Sequence, residues 1–211
     1  MADQVQICNM ALANIGSYVP IQSLSEHSKE ARACALYYDH CLDMLLREFE
    51  WNFAKRSIEL ASLGEPPDGW MYRYQYPTDA LYVVRLGQFT LQNCKDDLSR
   101  LKNMFMIVGT DSGKAILSNA NDASCVYIAK PENPNVMGPM FVDALAWSIS
   151  SRIAPGITGD RQTTIDASGM YNLMLHKAIA RDLSESSEPP KQEAETVQVR
   201  GVTNERRWDG Q

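Results

Sequence analysis

The chain has 211 residues, of which 45% are hydrophobic, and this length suits one domain with an appendage better than two domains. Its formal net charge of −6 argues against tight binding of nucleic acid, which requires clustered Lys and Arg to neutralise phosphates. No apolar run reaches the roughly 20 residues that cross a bilayer, and the N-terminus lacks a secretion signal, so we expect a soluble protein made in the cytosol.

Two amphipathic helices are predicted at the start of the chain. In residues 3–16 the apolar side chains recur at intervals of three and four, and Gly16 closes the helix. Residues 28–50 repeat the pattern, with Ser28 as N-cap and Glu30 in the first turn. The apolar stripe of this second helix comprises Ala31, Cys34, Tyr38, Cys41, Leu45 and Phe49. Each helix should therefore bury one face.

The pattern changes to a β type after Gly64. The segment GEPPDGW breaks any helix, and aromatic side chains then alternate from Trp70 to Tyr76. Further β-prone runs predict a small antiparallel β module over about residues 70–130, and these runs are LYVVRL, FTLQN, MFMIV, KAILSN and SCVYIAK. The polar segment KDDLSRLKN interrupts them without a clear pattern of its own. Bases could stack on the alternating tyrosines, but with little basic surface beside them a β core is the favoured interpretation.

The stretch VGTDSGKA superficially resembles a phosphate-binding loop. Such a loop needs four residues between its glycines and a hydroxyl after the lysine, whereas three residues separate Gly109 from Gly113 and Ala115 follows the lysine. Short β-prone runs flank the stretch on both sides, and Asp111, Ser112 and Gly113 are typical turn residues. The pattern predicts a hairpin.

Two more helices are predicted after the β module. Pro139 suits the first position of a helix over 139–154, and Pro155 with Gly156 should end it. Phe141, Ala144, Leu145, Ser148 and Ile149 form its small-residue-rich face. A fourth helix, weakened at Gly169, is predicted over 161–183. Neither helix pair can bury its stripe alone, so we predict an α+β fold. In it the N- and C-terminal helix pairs form one bundle, with the β module inserted between them.

Residues 1–183 should accordingly form one domain, and residues 184–211 an extended C-terminal tail. The tail has the Ser, Glu, Pro and Gln composition of a segment that cannot form its own core. We expect it to dock on a partner subunit. Val197 and Val199 could join a neighbour's sheet edge, and Arg206, Arg207 and Trp208 resemble the anchors that dominate interfaces.

The residues predict no catalytic, cofactor or metal site. His27, His40 and His176 fall in no recognised nucleophile motif. Glu48 and Glu50 stand two apart on a helix and so point to different faces, which leaves them unsuited to act as a carboxylate pair.

The cysteines form no C-x-x-C pair. An odd number of cysteines without such a pair favours reduced thiols over a disulfide framework or a zinc site. The five are Cys8, Cys34, Cys41, Cys94 and Cys125. A metal site at Cys34, Cys41 and His40 is conceivable, but core packing is favoured because free cysteine packs as a small hydrophobe.

Four stretches together resemble a known family. They are ICNMALANIG, SKEARACALYYDHCLDMLLREFEWNFAKR, YRYQYPTDALYVVR and GPMFVDALAWSISSRIAPGITGD, and they span roughly residues 5–183. Their order and separations resemble the head-to-tail adaptor proteins of tailed phages, the tail tubular protein A or head-completion connector type of short-tailed viruses. The segment after residue 184 matches no pattern of that family.

The resemblance implies a virion structural protein of helices plus a β module, and no catalysis. It implies a homo-oligomeric ring of about twelve subunits in the virion neck, beneath the portal. The ring would join the portal protein to the tail tube or nozzle protein and form part of the conduit for DNA ejection. DNA would pass without specific binding, and no membrane is involved.

Two alternatives from other classes remain open. One is a phage or host enzyme whose site assembles from residues distant in sequence. The other is a DNA-packaging or regulatory factor, which the net charge of −6 disfavours because such a factor should bind duplex DNA in a salt-sensitive manner.

Overall fold

A computed structural model describes residues 3–87, 104–111 and 113–185 of the chain. The helices of this part are α1 (Gln4–Asn14), α2 (Lys29–Glu48), α3 (Pro139–Ile157) and α4 (Arg161–Glu185). The strands are β1 (Lys55–Glu59), β2 (Tyr72–Gln75), β3 (Ala80–Leu86), β4 (Phe105–Thr110), β5 (Gly113–Ser118) and β6 (Ser124–Ala129). Two short 3-10 turns, Asn52–Ala54 and Pro134–Val136, precede β1 and α3. The α+β class and the order of helix pair, β module and helix pair are as predicted.

Local sequence signals set the beginnings of the helices. The Asp3 carboxylate accepts a bond from the backbone N–H of Val5 at 2.9 Å and caps α1. Ser28 Oγ accepts from the Ala31 N–H at 3.2 Å and caps α2, as predicted. Pro139 occupies the first turn of α3, where its missing N–H costs no intrahelical bond.

The central element of the bundle is α3, which packs against α1, α2 and α4. Small residues allow the backbones to approach closely: the hydroxyl of Ser150 shares its one hydrogen between the carbonyl of Ala11 in α1, at 2.9 Å, and that of Ala146 in its own helix, at 2.7 Å. The predicted stripes form the buried core, which includes Cys8, Leu12, Ile15, Ala31, Cys34, Tyr38, Cys41, Leu45, Phe141, Ala144, Leu145 and Ile149. Both helix pairs thus share one core.

The β module consists of two three-stranded antiparallel sheets. One has the order β1-β6-β3 and the other β2-β5-β4. They pack face to face around a small second core that contains Tyr74, Ile116, Val83 and Tyr127. The opposite face of the β1-β6-β3 sheet presents Ile128 to the helical core, so this sheet joins the module to the bundle.

The hairpin and tyrosine predictions are confirmed. Strands β4 and β5 pair with Thr110 opposite Gly113, and Gly113 has a φ of +124°, which favours glycine at this turn. Tyr74 is buried in the β core, while Tyr72 and Tyr76 are half-buried and pack against it.

Two predicted boundaries are wrong. The module begins at Lys55 rather than near residue 70, because β1 pairs with β6 along its whole length. The side chains of KRSIE do not alternate between apolar and polar, so the sequence gives no sign of this strand. Trp70 lies in the turn before β2, so the strand expected over 70–76 is shorter. Main-chain pairing with a distant strand decided both boundaries.

Pro155 does not end the third helix. Helix α3 continues to Ile157, because a proline in the last turn removes one backbone bond while the turn is still closed by others. The backbone N–H and the hydroxyl of Thr158 both donate to the Ala154 carbonyl at 2.9 Å. Likewise Gly169 does not interrupt α4, which runs unbroken to Glu185.

Several predictions fall on residues outside the described ranges. These are the strand in FTLQN, the polar segment KDDLSRLKN, Ser112 and most of the tail. Among the described helices, none combines the length and apolar character needed to span a bilayer.

Candidate partner-binding cleft

The end of α4, the start of α3 and the turn after α2 enclose a cleft of about 410 Å³. Its lining residues are Trp51, Phe53, Val136, Gly138, Pro139, Met140, Phe141, Ala178, Arg181, Asp182 and Glu185. The volume falls within the range of small-ligand sites, roughly 300–1,000 Å³. The last described residue, Glu185, is one of the residues at the edge of this cleft.

An aromatic cluster forms the floor of the cleft. Trp51 is buried and meets Phe141 edge to face with ring centroids 4.9 Å apart, and Phe53 meets Phe141 at the same separation. The indole N–H of Trp51 donates to the Leu45 carbonyl at 2.8 Å. That carbonyl belongs to the last turn of α2, where backbone acceptors lack helical partners. Trp51 therefore closes the helix end and supports the floor.

Asp182 holds the end of α4 against the turn after α2. Both oxygens of its carboxylate accept from the backbone N–H of Asn52 at 3.2 Å, and the Asn52 side-chain amide donates to the Asp182 carbonyl at 2.9 Å. Burial raises the pKa of the Asp182 carboxyl above its ordinary value, which the backbone N–H bond from Asn52 partly opposes. A carboxylate has further lone pairs, so Asp182 retains the capacity to accept from an incoming cation.

Apolar and charged side chains share the mouth of the cleft. Val136 and Met140 are 49% and 43% exposed, although both are large and apolar. Beside them Arg181 pairs with Glu185 at 3.2 Å, one turn along α4. Since Asp182 adds a second carboxylate, the charged side of the cleft carries one net negative charge when all three groups are ionised.

This arrangement suits a ligand that combines an aromatic or aliphatic side chain with a guanidinium. Aromatic floors gain energy from burying a further ring, at about 0.5–1.5 kcal/mol per aromatic pair beyond the area effect. A guanidinium matches carboxylates in geometry as well as charge. The cleft has the composition of a peptide-anchoring site.

The structure does not describe the residues that the sequence predicts to contact a partner. Val197, Val199, Arg206, Arg207 and Trp208 all lie outside the described ranges. The prediction that they contact a partner therefore stays a prediction.

The histidines and the two glutamates that the sequence offers as candidate catalytic residues do not line the cleft. His27, His40 and His176 are all exposed, the first in the loop before α2 and the others on α2 and α4. Glu48 is exposed at the end of α2, and Glu50 faces Lys55 at 3.6 Å. Across residues 3–87, 104–111 and 113–185, no group of three or more His, Cys, Asp or Glu is placed to hold a metal ion.

Cys8, Cys34, Cys41 and Cys125 are buried free thiols, as the packing interpretation predicted, and Cys94 lies outside the described residues. Burial and, to a smaller extent, the nearby Asp79 raise the pKa of the Cys125 thiol to about 11, so the neutral thiol prevails at neutral pH. These cysteines act as small core residues.

A second, smaller cleft of about 290 Å³ lies where α2, α3 and α4 meet. It is more polar, and its lining is Met44, Ser148, Ser151, Arg152, Ser168, Tyr171 and Asn172. The exposed Arg152 donates weakly to the Met44 sulfur at 3.9 Å. No buried polar group without a partner points into this cleft among the residues that the structure describes.

Sequence reasoning missed the first cleft, although one signal was present. The run WNF directly after a predicted helix places two aromatic residues where a helix end needs closure, which suggests a packed corner. Nothing in the sequence connects Asn52 to Asp182, which stands 130 positions further along the chain.

Comparison with known proteins adds no relative to these observations. A scan against models of protein families gave no match, and a search among curated proteins gave none.

Proposed function

We propose that the chain is a virion structural protein, a ring-forming head-to-tail adaptor that joins a portal to a tail tube or nozzle. The observation that carries the proposal is the element order. Two helices, a β module and two more helices fold into one bundle with a projecting two-sheet module, the architecture that the four resembling stretches imply. The stretches lie in α1, in α2 and β1, in β2 and β3, and in α3, which are the elements that build this architecture.

The bundle would form the wall of the ring and pack laterally on its neighbours. Exposed apolar side chains are available for such contacts on outward faces of the helices, at Leu36 of α2 and at Ile165 and Leu173 of α4. In a closed ring each subunit is held on two sides, so weak lateral contacts add up. The β module and the C-terminal tail would make the contacts along the axis, to nozzle and portal.

The acidic balance fits a conduit through which DNA slides. A channel wall that repels phosphates avoids the counterion-release energy that makes basic proteins adhere to DNA. The net charge of −6 therefore supports a passage role over a DNA-gripping one.

The test is co-assembly of the full chain with purified portal rings of the virus that encodes it. Native mass spectrometry should show about twelve copies joining one portal ring, and electron microscopy should place them at the neck of the particle. A chain truncated after residue 184 should stay folded yet fail to join.

Absence of the chain from purified particles would contradict the proposal and favour an enzyme. Salt-sensitive binding of the chain to duplex DNA would contradict it and favour a packaging or regulatory factor. Full assembly of the truncated chain would refute the role of the tail alone.

A further inference from the structure

We propose that, in the unassembled chain, the cleft between α3 and α4 binds the chain's own C-terminal segment, with Trp208 over the aromatic floor and Arg206 beside the carboxylates of Asp182 and Glu185. The site would be an intramolecular receptor for a Trp-Arg peptide. An assembly partner that uses the same segment would have to displace it first.

The chemistry of the cleft matches that segment. Its floor is Trp51, Phe53 and Phe141, and its mouth exposes Val136 and Met140, which a bound indole would cover. Exposed apolar side chains that share one concave surface indicate an interaction site better than scattered ones do. Tryptophan and arginine are the side chains most enriched in the energetically dominant positions of such interfaces.

Alternation within the segment separates its charges. In an extended peptide the side chains of residues i and i+2 share a face. One face of NERRWDG would then be basic and aromatic, and it comprises Asn204, Arg206, Trp208 and Gly210. The other face would carry Glu205, Arg207 and Asp209, with a net negative charge. The first face complements a cleft with the carboxylates of Asp182 and Glu185, and the second does not.

The distance along the chain favours the chain's own cleft over that of a neighbour. Trp208 stands 23 residues beyond Glu185, which itself lies on the rim. A random-coil connection of that length would have an end-to-end distance of roughly 25 Å. The resulting effective concentration is on the order of millimolar, far above the micromolar concentration of a second copy in dilute solution.

Asp182 gains from such an occupant. Its carboxylate is largely buried at the inner edge of the cleft, where the carboxylate oxygens accept from the Asn52 N–H. A guanidinium placed beside it would offset the cost of burying the charge, and it would add charge-assisted hydrogen bonds that are stronger than neutral ones.

The experiment is a disulfide trap in the full-length chain. Val136→Cys at the mouth of the cleft is combined with Gly210→Cys, in a background with Cys94→Ser because the other four cysteines are buried. A matched control places the first cysteine at Leu36, which is 69% exposed on α2 and does not line the cleft. Mild oxidation should give an intramolecular disulfide about tenfold faster in the cleft pair than in the control pair.

Further substitutions in the cleft pair test each contact. Trp208→Ala should abolish the rate advantage, and Arg206→Ala should reduce it, while Arg207→Ala should leave it unchanged. Glu185→Lys should also reduce it; a lysine suits the C-terminal turn of a helix, so the fold is preserved. Glu65→Lys makes the same charge change on an exposed loop and should have no effect.

Equal rates for the cleft pair and the control pair would overturn the proposal, as would disulfides that form mainly between chains. A second measurement guards against variants that misfold. In the otherwise unaltered chain labelled with 5-fluorotryptophan, the 19F resonance of Trp208, assigned with Trp208→Phe, should be shielded from solvent. Full solvent exposure of that resonance would also refute the docking.

Discussion

Trp51 is the residue whose replacement tests the packing of the cleft most directly. Its indole N–H donates to the Leu45 carbonyl at 2.8 Å, and its ring is 1% exposed among Phe49, Phe53 and Phe141. Trp51→Phe keeps an aromatic ring but removes the donor. A buried carbonyl left without a partner costs about 1–3 kcal/mol. The lost volume adds about 1–2 kcal/mol, less than the 3–5 kcal/mol of truncation to alanine.

We therefore expect Trp51→Phe to lower the free energy of unfolding by about 3 kcal/mol, as the sum of those two contributions. For a domain of this size the melting temperature should fall by roughly 6–12 °C. Urea denaturation followed by far-ultraviolet circular dichroism measures the change. Trp70→Phe is the matched control, because Trp70 is half-exposed in the turn before β2 and its loss should cost less than about 1 kcal/mol. Equal effects of the two substitutions would refute the role assigned to the Trp51 hydrogen bond.

Two further predictions concern the turn at Gly113 and the carboxylate of Asp160, which accepts from the backbone N–H groups of Gln162 and Thr163 in the first turn of α4. Gly113→Ala should destabilise the domain by about 1–3 kcal/mol, because the residue has a φ of +124°. Gly109→Ala in β4 should change the stability little, since that glycine has no positive φ. Urea denaturation midpoints of the two variants measure the difference, and equal midpoints would contradict the turn assignment. Hydrogen bonds from the Thr163 hydroxyl and backbone N–H to Asp160 lower the pKa of that carboxyl. The ionised carboxylate therefore stabilises the fold above the unfolded pKa of about 4, and this stabilisation is lost as pH falls through the lower folded pKa. The urea midpoints of the wild type and Asp160→Asn should therefore differ at pH 7 and converge in strong acid, and a difference that does not depend on pH would rule out the charge as its cause.

The fold and the proposed docking suggest why exposed apolar groups persist near the C-terminus of α4. Val136, Met140 and Leu183 are each more than 40% exposed. Scattered exposed apolar residues need no explanation, but Val136 and Met140 share one concave surface with an aromatic floor. Under the adaptor function proposed above, covering that surface before assembly would prevent premature contacts.

How far the sequence predicts the site depends on the range of the interactions. The aromatic run after α2 and the proline that begins α3 can be read locally, and both contribute to the cleft. The position of the Asp182 carboxylate in the cleft cannot be predicted from local sequence, since Asp182 faces Asn52 only because α4 runs back along α3 to the end of α2. No periodicity in either segment encodes that meeting.

The sequence by itself determined the elements whose signals are local. The stripe and Ser28 cap of α2, the Pro139 start of α3 and the turn at Gly113 depend on neighbours within a few positions, so helical period, capping and turn chemistry suffice. Tertiary structure alone decided the rest. Strand β1 exists because β6, about 70 positions further along the chain, pairs with it. The cleft likewise forms because three segments far apart in the chain bury their apolar faces in one core.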